Sequence, residues 1–281
     1  MTTLIFSIAG FIAVWAINSA IANSPDRDDR AARVFVPVML GLASLYLWEG
    51  LVDGLGVSPV ILPAPSAIAA TFAASTDMLW QDFVQTVLKG ALTGYVMGCG
   101  AAFLVAVLID RSSFLTRGLL PIGNFVAALP IVGIAPILVS WFGFDWHSKA
   151  AVVVVMVFFP VLVNTVQGLR ETDAMQRDLM RTYAAGYLQT LLKLRLPAAM
   201  PFIFNGLKIA STLALIGAIV AEYFGSPTRG MGFRISTGVG SLSIDLVWAE
   251  IVVAAIVGTL LYGSVSWIEK AVTFWHPSQR R

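Results

Sequence analysis

Side chains able to act on a solute are scarce in this chain, and most of them sit inside apolar runs. Lys89, Asn124, Ser140, Asn164, Gln167, Asn205, Lys208 and Glu222 fall in or at the ends of such runs. An unsatisfied polar group there costs free energy and usually faces the interior of a helix bundle. Asn124, Ser140 and Asn164 are therefore candidates to line a pathway, with Glu222, near the outer end of its run, at a gate. In a plainer reading Asn124 and Asn164 hydrogen-bond neighbouring helices, contributing about 0.6 kcal/mol each, while Lys89 and Lys208 extend their heads to an interface. Glu222 and Glu250 could serve a proton-coupled carrier, but such carboxylates would sit deeper and beside a base. Exposed positions at helix ends account for them better. Other chemistries lack their reagents. A single cysteine, Cys99, excludes an intramolecular disulfide, and two distant histidines, His147 and His276, give neither a metal cluster nor a catalytic group. No G-x-x-x-x-G-K-[ST] phosphate loop occurs, so the chain is no ATPase by itself.

The elements that would hold these groups are transmembrane helices. Of 281 residues, 58% are hydrophobic and only 12% charged, and mean hydropathy is +0.82, values outside the range of soluble domains. A span needs about 20 apolar residues. Seven stretches qualify, at 3–22, 34–52, 83–109, 119–142, 150–169, 202–224 and 247–267, and the fourth should be kinked or broken by Pro130 and Pro136. Met1–Ala22 lacks the basic start of a signal peptide and reads as a retained helix.

Cations fall in the connectors. Arg27, Arg30, Arg33, Arg111, Arg117, Arg170, Arg177, Arg181, Lys193, Arg195, Lys270, Arg280 and Arg281 lie on one side, and only Lys149, Arg229 and Arg234 on the other. The positive-inside rule then puts the N-terminus outside and the C-terminus in the cytoplasm. The same distribution argues for membrane lipid rather than nucleic acid as the partner of the net charge of +2. Outside, the 53–82 connector carries three prolines, after which Ser66 could cap a short helix starting at Ala67, and 225–246 reads as a glycine-rich loop or re-entrant piece.

One polar segment interrupts the oil: "DLMRTYAAGYLQTLLKLRLPAAMP", residues 178–201. Asp178 at the start of a short helix complements its dipole, and Leu179, Met180 and Tyr183 form an apolar side. Small residues Ala184, Ala185 and Gly186 permit a turn. A second piece runs over 188–194, Pro197 stops it, and Pro201 starts the next span. By composition alone this could be an amphipathic connector on the inner leaflet, with Lys193 and Arg195 meeting anionic lipid.

Its spacing resembles the "EAA" loop of binding-protein-dependent ABC importer permeases, in which an acid, two alanines and a glycine precede a hydrophobic residue and Leu-Pro. Anchored on Leu196-Pro197, the pattern puts Asp178 at the acid, Leu179 and Met180 at the alanines, Ala184 at the glycine and Leu194 at the hydrophobic position. Gly186 follows two residues late, which would move the turn toward it. "RLPAAMPFIFNGLKIASTLALIGAIVAEYFG", "ILPAPSAI" and "RGMGF" resemble the nitrate, sulfonate, taurine and bicarbonate branch.

The resemblance implies an all-α integral membrane protein: a six-helix importer-permease core plus an extra N-terminal helix, in the bacterial inner membrane. Its parts would be an added helix and linker over 1–33, a helix and external segment over 34–82, the core over 83–270 with the coupling loop at 171–200, and a cytoplasmic tail over 271–281. It also implies that Asp178, Leu179, Arg181, Tyr183, Ala184, Gly186, Leu196 and Pro197 couple the chain to cytoplasmic ATPase subunits, which would supply ATP and Mg. This chain would bind no cofactor of its own. A second permease copy, or a similar subunit, would complete the path. An extracytoplasmic binding protein would deliver a small polar solute, a thiamine-precursor pyrimidine or riboflavin-like compound, or a sulfonate or nitrate. The alternative from another class, an ion-coupled secondary transporter, calls for paired intramembrane carboxylates or an inverted repeat, and neither is evident.

Overall fold

A computed structural model describes residues 2–23, 29–127, 129–225 and 228–275. Arg27, His276, Arg280 and Arg281, and the side chains of Arg30 and Asn124, lie outside the described part. In chain order the helices are α1 Thr2–Ala22, α2 Arg30–Leu55, α3 Pro65–Ala74, α4 Thr76–Phe83, a π-helical segment Val84–Leu92, α5 Thr93–Arg111, α6 Ser113–Ala127, α7 Ile131–Phe142 and α8 Trp146–Arg170. They continue with α9 Ala174–Thr182, α10 Tyr187–Thr190, a second π-helical segment Leu191–Arg195, α11 Leu196–Gly225, α12 Met231–Gly240 and α13 Ile244–Val272.

Among the described residues six stretches are long and apolar enough to cross a bilayer: Thr2–Ala22, Ala31–Leu55, Thr76–Arg111, Trp146–Arg170, Tyr187–Gly225 and Ile244–Val272. They match six of the seven expected spans. The remaining one, 119–142, divides into α6 and α7, with Pro130 extended (φ −69°, ψ 113°) at the start of the second. Proline cannot donate to the helix ladder and disfavours helix in the residue before it, so the break falls where the ring sits.

The chain forms two compact units. The larger, Met78–Ser236 with Val252–Arg281, is built on α8 packed against α5 and α11. The side chains between them follow one rule. Gly94, Gly98, Ala102 and Ala106 recur every four residues on α5, Val153, Val157 and Val161 on α8, and Ala210, Ala214 and Ala218 on α11; all are buried. Such rows are the i±4 ridges of helix packing, and in lipid small residues let backbones approach closely. At Gly94 an added Cβ would lie 2.5 Å from Val153 Cβ and 2.8 Å from the Ala150 carbonyl oxygen. Leu104 and Leu108 of α5, by contrast, are exposed, as suits a helix face turned to lipid or to another subunit.

The smaller unit comprises Met1–Asp77 and Thr237–Ile251. Here α1 lies along α2, with Ser7 set over Gly50 and Leu4 over Gly54, and Asn18 donates from Nδ2 to the Val36 carbonyl at 3.1 Å. Helix α3 begins at Pro65 rather than Ala67, and Ser66 is not its cap: Ser66 N–H and Oγ both donate to the Glu49 carboxylate, at 2.9 and 2.5 Å. Proline supplies the first helical residue with its φ already set, and Glu49 supplies the acceptor from another helix. Thr71 Oγ1 donates to Asp245 Oδ2 at 2.7 Å, and Trp48 meets Trp248 edge to face at 4.9 Å.

Candidate functional site

Two polar constructions stand at opposite ends of the α5–α8–α11 bundle. The first is the loop joining α8 to α11. Its helix, α9, starts at Ala174 and not at Asp178, because Asp173 takes the N-cap and Gln176 Oε1 accepts from the Asp173 N–H at 3.2 Å. That moves Asp178 to mid-helix, where it pairs with Arg181 Nη1 at 3.0 Å in full solvent exposure, a contact worth little by itself. The shift in register brings in a residue that the 178–201 segment did not contain. Met175, Leu179 and Tyr183, four apart, present one apolar stripe, and their exposures of 83%, 56% and 76% show that it is uncovered among the described residues. The i, i+4, i+8 spacing was the signal, and it becomes legible once the helix start is read at Asp173.

After Tyr183 the chain turns at Ala184, which holds φ +51°. Gly186 has φ −68° and is the N-cap of α10. The turn therefore stays at the expected glycine position and does not move to Gly186, although an L-residue pays for the left-handed conformation there. Pro197 does not stop the second piece either, since Tyr187–Gly225 is one continuous helical stretch. Within Leu191–Arg195 the bonding widens, and Leu196 N–H donates to the Leu191 carbonyl five residues back. A π-turn relieves the ladder just where the proline ring follows. Leu196 and Pro197 are half-buried in that helix, away from the exposed stripe.

The same end holds a largely buried ion pair. Arg195 Nη1 and Nη2 donate to the two Asp110 carboxylate oxygens at 2.7 and 2.5 Å, while its Nε and Nη2 donate to the Leu169 carbonyl at 3.0 and 2.8 Å.

The opposite end gathers groups that sequence reasoning scattered. Glu222 is 1% exposed, so the expectation of an exposed helix end is corrected. Its Oε2 accepts from Thr86 Oγ1 at 2.6 Å and from Gly232 N–H at 3.1 Å. Thr86 Oγ1 in turn accepts from Met231 N–H at 2.8 Å, and Asp82 accepts from Gly230 N–H at 2.6 Å and Arg234 Nε at 2.9 Å. Three consecutive amides at the start of α12 thus find acceptors on other helices, two of them carboxylates, which meets both the orphan N–H groups and the positive end of the helix dipole. Gly230 is obligatory: it holds φ +121°, and a Cβ would lie 2.5 Å from Glu222 Oε2. Lys149, counted above as a loop cation, is fully buried and donates to the carbonyls of Phe144 and Gly225 at 2.5 and 2.6 Å. Asp82 and Thr86 were not anticipated, although a carboxylate and a hydroxyl four residues apart, on one side of a helix, were there to be read.

Between the two ends, Asn164 Nδ2 donates to the Pro160 carbonyl at 2.8 Å and its Oδ1 accepts from Asn205 Nδ2 at 3.0 Å. Asn205, Gln167 and Ser140 are exposed. Lys208 does not snorkel; it pairs with Glu269 at 2.8 Å. Lys89 is exposed.

Comparison with known proteins bears on the whole arrangement. Residues 90–274 match the family model described as the binding-protein-dependent transport system inner membrane component. A probable ABC transporter permease of Haemophilus influenzae is 34% identical over 240 residues, covering 84% of this chain and 96% of its own. A putative aliphatic sulfonates transport permease of Bacillus subtilis is 30% identical over 86% of this chain and 87% of its own, and a formylaminopyrimidine transport permease of Halalkalibacterium halodurans 28% over 89% and 99%. The chain belongs to the binding-protein-dependent ABC importer permeases, the non-enzymatic multi-pass subunits of the inner membrane whose ATPase is a separate protein, within the nitrate, sulfonate and taurine branch.

Proposed function

We propose that this permease couples to its ATPase subunits through α9 and forms its translocation path with a second copy of itself. The observation that carries the coupling is the uncovered stripe of Met175, Leu179 and Tyr183. An aromatic and two aliphatic side chains on a rigid helix, rimmed by Arg177 and Arg181, have the make-up of an interface anchor. The loop side is cytoplasmic, with the N-terminus outside, in line with the distribution of Lys and Arg. Asn164, Asn205, Gln167 and Ser140 are polar groups that a lipid face would not tolerate in the open, and they support a path between two copies. Glu222 acts behind that surface by holding the start of α12. The solute is small and polar, and the sulfonate and formylaminopyrimidine relatives mark the two chemistries to test first.

Asp178→Lys together with Tyr183→Asp is expected to leave membrane insertion intact and to abolish co-purification of the ATPase subunit. Undiminished co-purification would remove α9 as the docking element.

A further inference from the structure

The ion pair between Asp110 and Arg195 has a place in the fold that the docking of α9 does not explain. The loop leaves the bundle at Arg170, the last residue of α8, and returns at Tyr187, the first of α10. Any displacement of α9 must enter the membrane helices through those two points. Both are tied to one carboxylate and one guanidinium. Arg195, at the end of the π-helical segment below α11, grips Asp110 near the end of α5 with a two-pronged bond and the Leu169 carbonyl near the end of α8 with two more. Tyr187 Oη donates to Asp110 Oδ2 at 3.1 Å, and the Arg111 guanidinium lies 5.6 Å from the Tyr187 ring centroid. Three helix ends and the start of α10 therefore meet at a single joint.

The joint is enclosed. The side chains of Asp110 and Arg195 are 4% and 15% exposed, against 65% and 82% for Asp178 and Arg181 on α9. Leu169, Leu191, Ala199 and Ile203 pack beneath it, with Phe103, Val107 and Tyr187 at the margin. A bidentate arginine–carboxylate contact fixes both distance and orientation, and the positive charge at the Leu169 carbonyl suits the negative end of α8. A largely buried charge pair is a poor device for stability, because desolvation offsets much of the attraction. Its geometric precision is what distinguishes it.

We propose that the Asp110–Arg195–Leu169 joint is the rigid link through which movement of the coupling loop is delivered to α5, α8 and α11 together. These are positioning residues for transport. The proposal rests on the docking of the ATPase at α9, and it assigns the transmission step to a different place from the docking step. Without the joint, the π-helical segment and the Ala184 turn would absorb the motion, and hydrolysis would proceed with little translocation.

The test uses the assembled transporter in proteoliposomes with its binding protein, and reads ATP hydrolysed per solute taken up beside the amount of ATPase subunit that co-purifies. Asp110→Asn keeps the shape and loses the charge; Arg195→Lys keeps the charge and loses the fork. Each is expected to retain the ATPase subunit and to raise the ATP-to-solute ratio by about tenfold. Tyr187→Phe removes one hydroxyl, is the variant least liable to misfold, and is expected to raise the ratio by about two- to fivefold. An unchanged ratio in Asp110→Asn and Tyr187→Phe would overturn the joint. Loss of the ATPase subunit from those variants would also overturn it, by making the cluster part of the docking surface. Failure of the α9 reading shows separately, as retention of the ATPase subunit by the Asp178→Lys, Tyr183→Asp variant.

Discussion

Glu222 shows how much a single side chain can hold. Its Oε2 is the shared acceptor for a hydroxyl from the π-helical segment Val84–Leu92 and an amide from α12. Glu222→Ala leaves both donors buried without a partner, at about 1–3 kcal/mol each, and removes a carboxylate from the vicinity of Lys149. The thermal midpoint of the purified protein in detergent is expected to fall by several degrees, while Glu222→Gln, which keeps the shape and one acceptor, should recover part of the loss. An unchanged midpoint in Glu222→Ala would show that the amides of α12 find other acceptors. Little of this was legible in the sequence. A glutamate near a helix end looks the same whether it faces water or a second helix, and its partners Thr86 and Gly232 lie 136 and 10 residues away. Asp110 and Arg195 are 85 residues apart, with no spacing rule to join them. Ala184 was legible in part: the motif located the turn, but a non-glycine residue at that place suggested a displacement that the backbone does not make.

Elements were far more readable than contacts, because a bilayer asks only for length and apolarity, both of which are additive along the chain. The six long helices follow from that, and so does the interruption at Pro130. Where prolines lie beside a widened turn the same reasoning fails: Pro197 looks like a stop and Pro201 like the start of a new span, and both are carried inside a helical stretch of 39 residues. The start of α9 was misread because Asp178 and Asp173 are both plausible caps, and the reciprocal contact of Gln176 chooses between them. The small residues of α5 lead to a prediction at this scale. Gly94→Val would set new atoms against Val153 and the Ala150 backbone, and backbone cannot give way as a side chain can. Overpacking of this kind costs about 1–3 kcal/mol or more. The variant is expected to accumulate at less than half the level of the parent in the membrane fraction, whereas Gly100→Ala, with nothing within 4 Å of the new Cβ, should accumulate normally.

For the molecule as a whole, composition and loop charge speak to the membrane and to orientation, whereas the division into two units depends on which helices touch and has no sequence signature. Orientation can be measured cleanly because the one native thiol, Cys99, is buried. In the permease expressed without its ATPase subunit, a membrane-impermeant maleimide is expected to label Ile61→Cys in intact spheroplasts, and Tyr183→Cys only in inside-out vesicles; both positions are exposed, at 75% and 76%. The reverse pattern would invert the proposed topology and place α9 on the wrong side for an ATPase.

The π-helical segment Val84–Leu92 has a consequence for how tightly this design is locked to its exact length. A π-turn carries one residue more than an α-turn, and a helix advances by about 100° per residue. Asp82 lies just before the segment and Thr86 inside it, while Gly94 and the row that packs on α8 lie beyond it. The extra residue is thus a phase adjustment, letting one continuous helix aim its first polar pair at α12 and its later small residues at α8. Deleting a single residue there would replace the wide turn by regular α-helix and change the angle at which Asp82 is aimed relative to Gly94, so in this stretch irregularity is the condition for correct aim.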